Sequence, residues 1–164
     1  MNRLAGPRLL SVLIVFVMAG CAASAAGTPA PRPLGLTAVT DALRSSGIAV
    51  VEVANNLNPR DGAWRCLPGS FQLARVSQQP SAALARPGDR PSVDILLFPS
   101  DAERTAAQSA VGADGQVGVQ GCAVMVDWVA TPHVVGARNV LLFIATDDPS
   151  TLEAVRAAAA RLGL

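Results

Sequence analysis

VDILLFPSDAERTAAQSAVG, residues 93–112, sets the architecture. Its first six residues are apolar apart from Asp94, the composition of a strand. Ser100 follows, with Glu103 three residues on. That is a capping-box spacing, in which the serine oxygen accepts from a free backbone N–H of the first helical turn. The spacing predicts a helix from Ser100 to near Gly112. A faint echo of this order lies nearer the C-terminus. Val140 to Ala145 (VLLFIA) reads as a strand, and Asp148-Pro149 supplies a cap and a first-turn proline. The helix that follows is expected to run to about Leu162, before Gly163. The matching stretches Leu96-Leu97-Phe98 and Leu141-Leu142-Phe143 predict two β-then-α units with helices packed on one side of a sheet.

Working outward, Thr37 is a candidate cap for a helix to about Ser46. Leu36, Val39 and Leu43 share one face of that helix, and Gly47 is its stop. Ile48 to Ala54 (IAVVEVA) is β-branched and strand-like, and Phe71 to Val76 (FQLARV) alternates as a half-buried strand does. Cys122 to Val129 (CAVMVDWV) is expected as a further strand, with Trp128 in the core. Asn55–Gly69 and Gln78–Pro91 have loop composition. The predicted fold class is α+β: a two-layer sandwich with a mostly antiparallel sheet of five to six strands and about three helices. A ferredoxin-like order is one arrangement that fits. Strict β–α alternation, the mark of a parallel doubly wound sheet, is missing.

Residues 1–35 have a different character. Arg3 and Arg8 precede an apolar run, Leu9 to Ala19 (LLSVLIVFVMA). A span needs roughly 20 apolar residues, so this run suits the h-region of an export signal. Met18-Ala19-Gly20-Cys21 follows. It resembles the lipobox of bacterial lipoproteins, with Met18 where that family usually has Leu. The resemblance covers the signal and Cys21 only. It implies cleavage before Cys21 and a diacylglycerol thioether on its sulfur. The alternative is an ordinary secretory signal cut after Ala23 or Ala26. Acyl chains contribute about 0.8 kcal/mol per buried methylene, so a doubly or triply acylated Cys21 would be stably anchored in the membrane. Ala22 to Gly35 (AASAAGTPAPRPLG) then reads as an extended tether, reaching on the order of 40 Å at ~3.1 Å per residue. The expected organisation is signal peptide 1–20, lipidated Cys21 with tether 21–35, and one α+β domain over 36–164.

Cys66 and Cys122 remain as an even pair in an exported chain, which predicts a disulfide, with two free buried thiols as the alternative. The bond would tie the Asn55–Gly69 loop to the strand beginning at Cys122. Two cysteines and one distant His133 fall short of a structural zinc set, so neither metal nor cofactor is expected. The pair also lacks the C-x-x-C spacing of redox-active thiols.

The remaining candidates are few. His133 is the only histidine, with Asp127 six residues upstream, but no G-x-S-x-G elbow accompanies them. Asp147-Asp148 fits a helix cap better than a cation site. Glu52 and Asp94 interrupt apolar strands and are expected on the solvent side of the sheet. Gly112, Gly115, Gly118 and Gly121 read as a hairpin loop without a phosphate-binding tail. Trp64 and Arg65 sit beside Cys66 in a polar loop, a combination that suits partner contact; the competing reading is that Trp64 folds back over the disulfide or the sheet edge.

All 13 basic residues are arginines. Without Arg3 and Arg8 the 12 acidic residues outnumber them by one, so no bulk charge points to nucleic acid or to anionic lipid. The functional expectation is a membrane-anchored extracytoplasmic lipoprotein that binds an envelope protein or polymer. The alternative is an extracytoplasmic hydrolase using His133 and nearby carboxylates.

Overall fold

The computed structural model describes residues 32–60, 62–78, 92–112, 114–119 and 121–163. The expected signal peptide, Cys21 and the tether as far as residue 31 lie outside these, as does most of the Gln78–Pro91 loop.

Seven strands and three helices are described. The chain runs α1 (Leu36–Ser45), β1 (Val50–Leu57), a 3-10 turn (Gly62–Trp64), β2 (Gln72–Gln78), β3 (Ser92–Leu97) and α2 (Asp101–Ser109). It continues through β4 (Val117–Val119), β5 (Cys122–Val124), β6 (Pro132–Ala137) and β7 (Val140–Ala145) to α3 (Pro149–Gly163). Five strands form one sheet in the order β1-β2-β3-β7-β6, and β4 and β5 pair separately. Every pairing is antiparallel. The fold is therefore α+β, as expected. Its main sheet is a three-strand meander extended by the β6–β7 hairpin; β7 lies between β3 and β6, so the run β3-α2-β6 has a split βαβ arrangement.

Period-2 alternation sends the side chains of β3 to two different cores. Val93, Ile95 and Leu97 join Ala74, Val76, Leu142 and Ile144 beneath Val39 and Leu43 of α1 and Val155 and Ala158 of α3. Leu96 faces the other way, with Leu73, Leu141 and Phe143. That second core is covered by Ala107 of α2, Trp64 and Leu67 around the 3-10 turn, and Val117 and Val124 of the β4–β5 hairpin. Cover on both faces explains why β3 and β7 read as continuous apolar runs. It also corrects the expectation that both β-then-α units lay their helices on one side. α1 and α3 make the two-layer sandwich, while α2 packs on the opposite face. There it crosses β6 at Gly136, where a Cβ would stand 2.4 Å from Gln108 Oε1.

Local chemistry sets the element ends. Ser100 Oγ accepts from Glu103 N at 3.2 Å, the predicted cap of α2. Asp148 accepts from Ser150 N and Thr151 N ahead of α3. Thr37 does not cap α1. Gly35 occupies that position, and the Thr37 carbonyl instead accepts from Thr40 Oγ1. Strand β1 runs past the expected end at Ala54 to Leu57, through a register shift and the positive φ of Asn56 (54°). The predicted strand from Cys122 stops at Val124. Beyond it the Gln116 side chain takes both Val126 N (2.7 Å) and Val126 O (2.8 Å), standing in for a neighbouring strand. Trp128 accordingly lies outside any strand and is half-buried, packed on Phe143. Strand β6, not assigned from the sequence, is closed onto β7 by the two-residue turn Arg138-Asn139, with Arg138 at φ 50°.

Candidate functional site

One row across the sheet joins most of the conspicuous polar chemistry. Arg75 of β2 pairs with Asp94 of β3, which pairs with Phe143 of β7. Asp94 is 5% exposed and takes both Arg75 nitrogens, Nε at 2.5 Å and Nη2 at 2.9 Å. Trp64 Nε1 donates to the same carboxylate at 2.9 Å. Asp94 therefore lies buried in the second core, contrary to the solvent-side expectation; Glu52 is exposed, in line with it. The reason is compensation: a carboxylate with three donors can be buried where a bare one cannot. The hydrogen bonds that Arg75 donates to Asp94 raise its affinity for its proton above the ordinary guanidinium value, against the opposing effect of burial.

Trp64 is 2% exposed and meets Phe143 edge-on with ring centres 4.8 Å apart. Trp128 also packs on Phe143, tilted and 4.5 Å away, with its ring 6.4 Å from that of Trp64. The indole of Trp64 is thus a core side chain that roofs Asp94, with no face for a partner. Arg65 next to it is exposed. Cys66 and Cys122 form a disulfide, as expected, joining the segment after Trp64 to the first residue of β5.

A groove of about 350 Å³ opens at the end of the sheet where the described chain begins. Leu34, Phe71, Leu97, Phe98 and Pro99 give it apolar walls, and Ser70, Gln72 and Asn139 supply polar edges. Its volume is near the lower end of the range for small-molecule pockets. Asn139 fastens the incoming chain to this end. Leu34 N donates to Asn139 Oδ1 at 2.8 Å, and Asn139 Nδ2 donates to Leu34 O and to Phe98 O. Arg138 Nη2 adds a bond to Arg32 O at 2.6 Å.

His133 sits at the other end of the same hairpin, opposite Ile144. It is half-buried, and its Nε2 lies 3.0 Å from Thr146 O, which only an N–H there can satisfy. The adjacent Asp147 accepts from Thr131 N and Oγ1, bonds that hold its carboxyl below the usual carboxylate value. Six residues at ~3.3 Å each put His133 roughly 20 Å along the strand from the groove at Asn139. The histidine and the groove are not brought together, and Asp127 is an exposed residue between β5 and β6. Among the described residues no cluster of His, Cys, Asp and Glu could hold a metal ion.

The sequence reading missed Arg75 as the partner of Asp94 and Arg138-Asn139 as a docking turn. The first has a signal: single opposite charges inside two neighbouring apolar strands. The second has a weaker one, a polar dipeptide between two β-branched runs. Comparisons with protein-family models, curated proteins and solved structures find no match for this chain.

Proposed function

We propose that this chain is a bacterial lipoprotein, exported, cut before Cys21 and held by acyl groups at the extracytoplasmic face of a cell membrane. The observation that carries the reading is the Cys66–Cys122 disulfide. It uses both cysteines of the folded domain, fits an oxidising compartment, and leaves Cys21 in its lipobox-like setting as the thiol for lipid. The intact mass of protein extracted from membranes, with and without reductant, tests this. A mass of residues 21–164 plus acyl groups, rising by two hydrogens on reduction, is expected. An unacylated mass overturns the anchor.

The domain acts as a small binding module for an envelope protein or polymer, with the groove beside Ser70, Phe71 and Asn139 as its contact site. The hydrolase alternative is weaker, because His133 bonds a backbone carbonyl at the end remote from the groove. Crosslinking in cells, followed by recovery of the protein, should capture a partner that Ser70→Trp loses by filling the groove. Capture unchanged in Ser70→Trp removes the groove from the proposal.

A further inference from the structure

The charges of the folded domain are sorted along the strands. At the end where the chain enters, Arg138 occupies the β6–β7 turn and bonds the carbonyl of Arg32. Arg161 stands in the last turn of α3, whose final residue, Gly163, packs beside Ala137 at the base of that turn. None of these three arginines is in an ion pair among the described residues. Among the described residues the acidic groups at this end are Asp101, already paired with Arg104, and Glu103, whose Oε2 is buried. The first turn of α1, which starts here, contains no acidic residue. The opposite end carries Asp147, Asp148 and Glu153 at the start of α3. Among the described residues the domain thus has a basic end and an acidic end, and Arg32 lies at the basic one.

We propose that this basic end, built from Arg32, Arg138 and Arg161, docks on the anionic phospholipid headgroups of the membrane that anchors the chain. The inference rests on the lipoprotein reading for its geometry. The domain joins the anchored segment through Arg32, so this surface is the one nearest to Cys21 along the chain. Guanidinium groups suit the partner because their planar donor fork pairs with phosphate oxygens. Each one near an anionic leaflet strengthens surface binding by about fivefold, within a Debye length of about 8 Å at physiological salt. Docking turns the groove beside Asn139 toward the bilayer, so the envelope partner it contacts is one held at that surface.

The test uses the full protein purified from membranes and reconstituted into vesicles of phosphatidylcholine alone or with about a third phosphatidylglycerol. Retention on the neutral vesicles reports the lipid anchor. Hydrogen exchange at Arg32–Gly35 and Arg138–Asn139 reports docking. Slowing on the anionic vesicles relative to the neutral ones is expected at both segments. It should disappear in high salt and in Arg32→Gln/Arg138→Gln/Arg161→Gln, and persist in Arg156→Gln on the middle of α3. Equal exchange on both vesicles, with the protein retained, overturns docking while leaving the anchor standing. Loss from neutral vesicles overturns the anchor, and salt-sensitive binding to anionic vesicles would then still support the basic end as a lipid surface. Slowing by soluble polyglutamate but not by anionic vesicles assigns the surface to an acidic polymer and overturns the lipid.

Discussion

Trp64 Nε1 and Arg75 both end on Asp94, so the three side chains stand or fall together. Trp64→Phe keeps an aromatic ring against Phe143 but withdraws one donor from a buried carboxylate. A hydrogen bond to a charged group contributes about 1.5–3 kcal/mol, and a loss of that size is expected. It should appear as a lower urea midpoint at unchanged m-value; a midpoint equal to wild type means that Asp94 draws little from the indole. Gly115 is a second sensitive position. Its φ is +72°, and a Cβ there would lie 2.6 Å from Pro132 Cβ and 2.9 Å from Trp128 Nε1. Gly115→Ala adds left-handed strain to overpacking and is expected to destabilise by about 2–4 kcal/mol. A variant within experimental error of wild type would show that Pro132 and Trp128 can move aside. At this scale the sequence was legible for residue type and poor for direction. Asp94 in VDILLF looks like a solvent-facing interruption, because the donors that permit its burial come from residues 19 and 30 positions away.

Caps were legible at two of the three predicted positions; at α1 Gly35 and not Thr37 takes the place. A cap is decided by residues within a few positions of one another, and Ser100 and Asp148 were both readable for that reason. Strands were less so. β6 begins at Pro132 and includes Gly136, neither a strand former, and it exists because β7 pairs with it and α2 fits over Gly136. The Asp148 cap carries a pH prediction. Its carboxylate is held below the ordinary value of 3.8 by the hydroxyls of Thr151 and Ser150 and by backbone N–H groups, bonds made with the charged form. A folded-state value below the unfolded one means that its stabilisation is present above 3.8 and is lost as pH falls through the folded value. The melting temperature of Asp148→Asn should therefore change less than that of wild type between about pH 5 and pH 2. Parallel curves for the two proteins would remove Asp148 from the acid response. Asp147, lowered by Thr131, adds in the same direction, so some acid sensitivity should survive in the variant.

For the whole molecule, class and crosslink were legible and the division into two cores was not. Alternation along β3 shows that both faces carry apolar groups, but it does not say which helix covers which face. That choice depends on long-range shape, here the small Ala107 side of α2 against the aromatic second core. The two covers differ in kind. The first core lies under two helices that pack against each other. The second lies under a 3-10 turn, a short hairpin and α2, and the disulfide joins the turn segment to the hairpin across 56 positions of sequence. Closing a loop of that size stabilises by about 4 kcal/mol through the unfolded chain alone. If that were all it did, Cys66→Ser/Cys122→Ser would lower the stability of both cores equally. The architecture predicts an uneven loss. Without the bond, neither the Trp64 segment nor the β4–β5 hairpin is held to the other, and Asp94 risks losing its indole donor. Amide exchange in β5, the 3-10 turn and α2 should accelerate well before exchange in α1 and α3, with near-ultraviolet circular dichroism from Trp64 and Trp128 weakening at the same time. A uniform acceleration would mean that the two faces unfold as one unit and that the disulfide acts only on the denatured chain.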